Sequence, residues 1–172
     1  MLIRFEVLQD GFIPSYFDSN YDIYRAQKYL FMQQDYSSAW TPSWFASLGT
    51  SLFTDILVFN AALDGPFKAS PVIGQNAIAA ANQTDYPHLR AVLALNRIDK
   101  FPFYFEATYE KYYIGAVKGF FSDLVDPTDA VIGLNINYKT GASILTLLYN
   151  AQWNPAADKF EVTSSLQAAV MF

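Results

Sequence analysis

The chain has 172 residues, of which 52% are hydrophobic and 16% charged, with a net charge of −5 and no cysteine. The absence of cysteine excludes a disulfide framework, thiolate metal sites and a cysteine nucleophile, and the absence of a basic block argues against nucleic acid as a partner. Aromatic residues reach 17%, with 15 Phe and 12 Tyr, yet no apolar run approaches the ~18 residues of a membrane-spanning helix.

In chain order, residues 2–8 read as a strand. No charged and then apolar leader precedes them, so a leader is expected to have been removed, or the chain to be part of a longer one. Residues 19–34 read as a helix: Ile23, Ala26, Gln27 and Leu30 fall at helical spacing, and Ser19 or Asn20 is a suitable N-cap. Strands are expected over 43–50 and 52–63, although Asp55 then shares a row with Phe53, Leu57 and Phe59. Residues 64–86, with Gly65, Pro66, Pro71, Gly74 and an Ala-rich stretch, read as a long connection.

From residue 88 onward the pattern has period two, the signature of a strand with two unlike faces. Leu89, Ala91, Leu93 and Leu95 alternate with Arg90, Val92, Ala94 and Asn96; Phe103, Phe105, Ala107 and Tyr109 alternate with Tyr104, Glu106, Thr108 and Glu110. Residues 112–122 are less regular, with Tyr113, Val117 and Phe121 in one row and Lys118 in the other. Over 130–139 Ile132, Leu134, Ile136 and Tyr138 oppose Gly133, Asn135, Asn137 and Lys139, and Lys139-Thr140-Gly141 marks a tight hairpin. Leu145, Leu147, Tyr149, Ala151 and Trp153 then oppose Thr146, Asn150 and Gln152, and the last segment sets Phe160, Val162, Leu166, Ala168, Val170 and Phe172 against Glu161, Thr163, Ser165 and Gln167.

High apolar content without long apolar runs is what such alternation produces. In hydrocarbon every backbone polar group must be paired within the protein, so a chain with no helical span crosses a bilayer only as a closed barrel. A soluble β-barrel or β-sandwich that binds an apolar ligand alternates too, with its apolar row inward. Long strands, aromatics near the row ends (Tyr138, Trp153, Phe160) and opposite rows of Asn, Gln, Thr and Ser favour the membrane form. The expected architecture is one all-β domain: an antiparallel up-and-down transmembrane β-barrel of about eight to twelve strands, or the C-terminal part of a larger one, with one or two short helices.

The final strand resembles the C-terminal assembly signal of bacterial outer-membrane β-barrels: a terminal aromatic, Phe172, preceded by Val170, Ala168 and Leu166 in alternation. The resemblance implies an outer-membrane location, a lipid bilayer with lipopolysaccharide as surroundings, and recognition by the barrel-insertion machinery. It implies a porin-like channel or a structural or transport barrel, acting on small solutes or an apolar ligand, with no cofactor. With only 8 Gly the chain is poorer in glycine than this class usually is.

The polar row supplies the candidate lumen-lining residues, namely Arg90, Glu106, Lys118, Asn135, Asn137, Asn150, Gln152 and Glu161. A charge facing lipid near the midplane costs about 2–4 kcal/mol for Arg or Lys, so these groups are expected to point inward or to sit near strand ends. His88 is the only histidine, and no G-x-S-x-G elbow accompanies it, so no catalytic residue is assigned and a hydrolase is the weakest reading. Asp123, Asp126 and Asp129 cluster without EF-hand spacing, and no metal site is assigned.

Overall fold

The computed structural model describes residues 1–9, 29, 40–67, 87–96, 98, 101–115 and 119–170. Eight strands appear: β1 (Leu2–Gln9), β2 (Trp40–Leu52), β3 (Leu57–Pro66), β4 (His88–Leu95), β5 (Phe103–Lys111), β6 (Ala130–Thr140), β7 (Ser143–Asn154) and β8 (Lys159–Val170), with one short helix, α1 (Phe120–Leu124), between β5 and β6. They form a single sheet in sequence order, every neighbouring pair antiparallel, with β1 and β8 as its two edges. The all-β, up-and-down arrangement follows from the sequence pattern; closure of the sheet into a barrel is not present in it.

The turns explain the element ends. Gly141 has a φ of +55° and lies in the two-residue link between β6 and β7, where a tight hairpin needs a left-handed residue. Between β2 and β3, Phe53, Thr54 and Asp55 all have positive φ. The break between these strands therefore lies later than the residue pattern suggested, and Asp55 sits in a turn rather than in the apolar row. There its carbonyl accepts a 2.6 Å hydrogen bond from Asn96 Nδ2.

Other boundaries also differ from the sequence reading. β3 extends through Asp64, Gly65 and Pro66, because these residues pair with β2 as far as Ser43. The connection to β4 thus begins at 67 rather than 64. Residues 112–115 and 119–122 are not a strand: β5 stops at Lys111 and α1 begins at Phe120. The expected helix over 19–34, apart from the single residue Tyr29, lies outside the described residues, as do Lys118 and Phe172.

Because directly paired residues share a face, the registers assign every strand position to one side. One side carries Ile3 and Phe5 from β1, Ala46 and Leu48 from β2, Phe59, Ala61 and Leu63 from β3, and Leu89, Ala91 and Leu93 from β4. It continues through Phe105, Ala107 and Tyr109, then Ile132 and Leu134, then Leu147 and Ala151, to Val162 and Leu166 on β8. The apolar rows of all eight strands thus merge into one surface, and the polar rows into the other.

Burial along β6 runs opposite to that of a water-soluble strand, whereas β8 is exposed on both sides. Along β6, Val131 and Gly133 of the polar side are buried, whereas Ile132 and Leu134 of the apolar side are exposed. Leu93, Leu145, Val162 and Leu166 are also exposed, Leu166 at 70%. Among the described residues the buried hydrophobic side chains are Tyr112, Ile114, Ala130 and Val131.

The registers also step steadily along the chain. Leu2 shares one hydrogen-bonded row with Ser47, Ala62, Arg90, Glu110, Val131, Gln152 and Glu161. The row leaves the first residue of β1 and arrives near the start of β8, whose far end is Val170. The strand ends are therefore progressively staggered across the sheet.

Candidate functional site

The polar side of the sheet is the chemically differentiated surface. Arg90, Glu106, Asn135, Asn137, Asn150, Gln152 and Glu161 all fall on it by register. They are spread along it rather than gathered at one point. Asn135 Nδ2 donates to Glu106 Oε1 at 3.3 Å across the β5–β6 pair, and Thr146 Oγ1 donates to Asn137 Oδ1 at 2.7 Å across β6–β7. Glu161 accepts from Asn154 Nδ2 at 2.6 Å near the 155–158 turn. Of the residues expected to form an assembly signal, Leu166, Ala168 and Val170 lie on the apolar side of β8.

The densest cluster is built where β3, β4 and β5 meet the long connections. Asp64 and His88 are direct partners across β3–β4, and Arg90 and Glu110 across β4–β5. His88 Nδ1 stands 3.3 Å from Asp64 Oδ1. Its Nε2 faces Glu110 Oε2 at 3.7 Å, too long for a hydrogen bond but close enough for charge attraction. Arg90 Nε lies 3.2 Å from Glu110 Oε1, the Tyr112 hydroxyl donates to Glu110 Oε2 at 2.8 Å, and the Tyr112 ring stacks on His88 with centroids 4.5 Å apart.

Glu110 is 2% exposed. A carboxylate so deeply buried needs compensating charge and hydrogen bonds, and Arg90, His88 and Tyr112 supply them. Both His88 nitrogens face carboxylates, and the described hydrogen bonds bring no hydroxyl to the ring. Asp64 and Tyr112 were absent from the sequence-derived candidates, and Glu110 was read only as a member of the polar row of its strand. Asp64 fell just past the expected end of β3, and Glu110 gains meaning only when the register sets it beside Arg90.

Arg4 and Glu6 form a second ion pair on the same side, with the Arg4 guanidinium 4.7 Å from the centre of the Phe45 ring. Gly133 marks where this side is tightest: an added Cβ would run into Thr108 Oγ1 and lie 3.3 Å from Asn150 Oδ1.

One charged pair lies on the other side. Lys111, in the apolar row of β5, is 1% exposed. Its Nζ is 3.7 Å from Asp123 Oδ1 and donates to the Thr128 carbonyl. Asp123 also accepts from Gly115 N at 2.6 Å, and the Tyr109 hydroxyl donates to the Leu124 carbonyl at 2.8 Å. The β5–β6 segment is thereby folded back over the apolar face. Burial raises the Asp129 carboxyl above its ordinary pKa, Lys111 opposing the shift and Asp123 adding to it.

Among the described residues no group of histidine and carboxylate side chains is placed to hold a metal. No known protein family, curated protein or solved structure matches the chain.

Proposed function

We propose that the protein is a bacterial outer-membrane β-barrel in which β1 closes on β8, the apolar side looks into hydrocarbon, and the polar side fills the interior. The observation that carries this reading is the apolar side that all eight strands share by register, exposed at Phe5, Leu48, Phe59, Leu93, Phe103, Leu134, Leu145 and Leu166, while Glu110, Val131 and Gly133 of the polar side are enclosed. A soluble sheet with this pattern would need a second layer over its apolar side, and the described strands form one sheet only.

Three further features agree. Strand lengths run from 8 to 13 residues, around the roughly 9–11 that a tilted strand needs to cross a bilayer. Three of the four connections at one end, 10–39, 67–87 and 112–129, are long, the fourth, 155–158, being a short turn, and those at the other end, 53–56, 96–102 and 141–142, are all short. That is the asymmetry of outer-membrane barrels, which carry long loops outside and short periplasmic turns. Finally, pairing Ile3 beside Val170 gives a stagger of about ten residues over eight strands. With a rise of about 3.3 Å and a strand spacing of about 4.8 Å, the tilt is then about 40°, within the usual range of about 35–45°.

Eight strands enclose a space that side chains fill. The lateral bonds Asn135–Glu106 and Thr146–Asn137, and the Gly133 contact, suit such a packed polar interior. The function supported best is thus a membrane-anchored scaffold presenting its long connections outside the cell, rather than a wide pore. The test is fractionation of expressing cells followed by gel migration in detergent with and without heating. The expected protein sediments with membranes and migrates differently when boiled; a protein soluble without detergent would overturn the proposal. Planar-bilayer recording is expected to find no stable large conductance.

A further inference from the structure

We infer that α1 is an interfacial anchor, holding Phe121 and Val125 in the headgroup–acyl boundary of the outer leaflet; the inference rests on the outer-membrane reading above. The apolar side has a gap. Lys111 and Ala130 are direct partners at the end of β5 and β6 nearest the long connections. Val131 pairs with Gln152, so Ala130 is level with Trp153, which pairs in turn with Phe160. Trp153 and Phe160 meet edge to face, with centroids 5.1 Å apart. This is the aromatic level of the wall, and at β5 and β6 it carries a lysine and an alanine instead.

Residues 112–115 and 119–129 cover that gap. Asp123 neutralises Lys111 from above, the Leu124 carbonyl takes the Tyr109 hydroxyl, and both Lys111 and Ala130 are left 1% exposed. Asp123 points toward the sheet, so the opposite side of α1 points away from it. Phe121 and Val125, four residues apart, occupy that outward side, each 83% exposed. Residues at this spacing share one stripe. In water such a stripe is unfavourable. Continuous with Trp153 and Phe160, it extends an interfacial girdle to where β5 and β6 supply no large apolar side chain.

Because the chain has no cysteine, single-cysteine nitroxide labels report this directly. Phe121→Cys and Val125→Cys are labelled in protein reconstituted into phosphatidylcholine vesicles, with Leu134→Cys as the control for the barrel wall and Ala156→Cys in the 155–158 turn as the aqueous control. The expected result is loss of accessibility to a water-soluble nickel relaxant at 121 and 125 relative to 156, together with gain of accessibility to oxygen. Labels at 121 and 125 that relax like the one at 156, while 134 remains lipid-exposed, would overturn the anchor and leave the barrel standing. An aqueous label at 134 would overturn the barrel itself. Heat-modifiable migration of each labelled variant establishes folding beforehand, and the exposure of 121 and 125 makes the labels tolerable there.

Discussion

Glycine at 133 shows how closely the polar side packs. A methyl group there meets Thr108 Oγ1 and Asn150 Oδ1, so Gly133→Ala is expected to cost about 1–3 kcal/mol through overpacking. Thr108→Ala in the same chain should recover most of the loss, as read by urea unfolding in detergent micelles. On the opposite side Leu134 is a more discriminating residue. It is exposed, and in a water-soluble protein Leu134→Arg would change stability by only about 0.5 kcal/mol. Facing hydrocarbon near mid-strand, the same change costs about 2–4 kcal/mol. Unfolding in lipid vesicles is expected to give the larger figure for Leu134→Arg.

Asp129 adds a pH dependence. Its carboxyl is raised by burial, with Lys111 opposing and Asp123 reinforcing, so the folded chain holds this proton to higher pH than the unfolded one. The sign follows from linkage: the folded state gains from this group at low pH, and the gain is lost as pH rises from the ordinary carboxylate value of about 4 through the raised one. Asp129→Asn is expected to flatten that part of the pH–stability curve. An unchanged curve would show that Asp129 does not titrate differently on folding.

Among the elements, the β5–β6 segment depends most on a single pair. Lys111 is buried in an apolar row, and removing Asp123 takes away the carboxylate 3.7 Å from its Nζ. Asp123→Ala is therefore expected to cost about 3 kcal/mol, as breaking a buried pair commonly does. The double variant Lys111→Met, Asp123→Ala should lose much less, because no charge then remains to be compensated. Equal losses in the single and double variants would contradict the pairing.

Strands β4 to β8 were legible because a strand with unlike faces writes its period directly into the residues, and Gly141 marks its hairpin. α1 was not legible. It has five residues, too few for a helical period, and it is held by Lys111 and Tyr109 from another element. The Asp64–His88 and Arg90–Glu110 pairs were hidden for a related reason: they join strands whose register the sequence leaves open. His88 could be singled out as the lone histidine, but not the two carboxylates that hold it.

At the scale of the whole molecule, the two edge strands are the most informative parts. Closure by the proposed stagger brings Glu6 beside Gln167. The double variant Glu6→Cys, Gln167→Cys is expected to form a disulfide on mild oxidation of the membrane-inserted protein, in a chain with no competing thiol. Glu6→Cys paired with Thr163→Cys is expected to remain reduced, since those positions are then too far apart for a disulfide.

The central claim is that the exposed apolar side faces hydrocarbon. A nitroxide scan along β7, one cysteine at a time from Ile144 to Trp153 in reconstituted vesicles, reads it most directly. Oxygen accessibility is expected to oscillate with period two, peaking at Leu145, Leu147, Tyr149 and Ala151 and falling at Thr146, Leu148 and Asn150. Peaks on the second set, or uniform access of the nickel relaxant along the strand, would contradict the account.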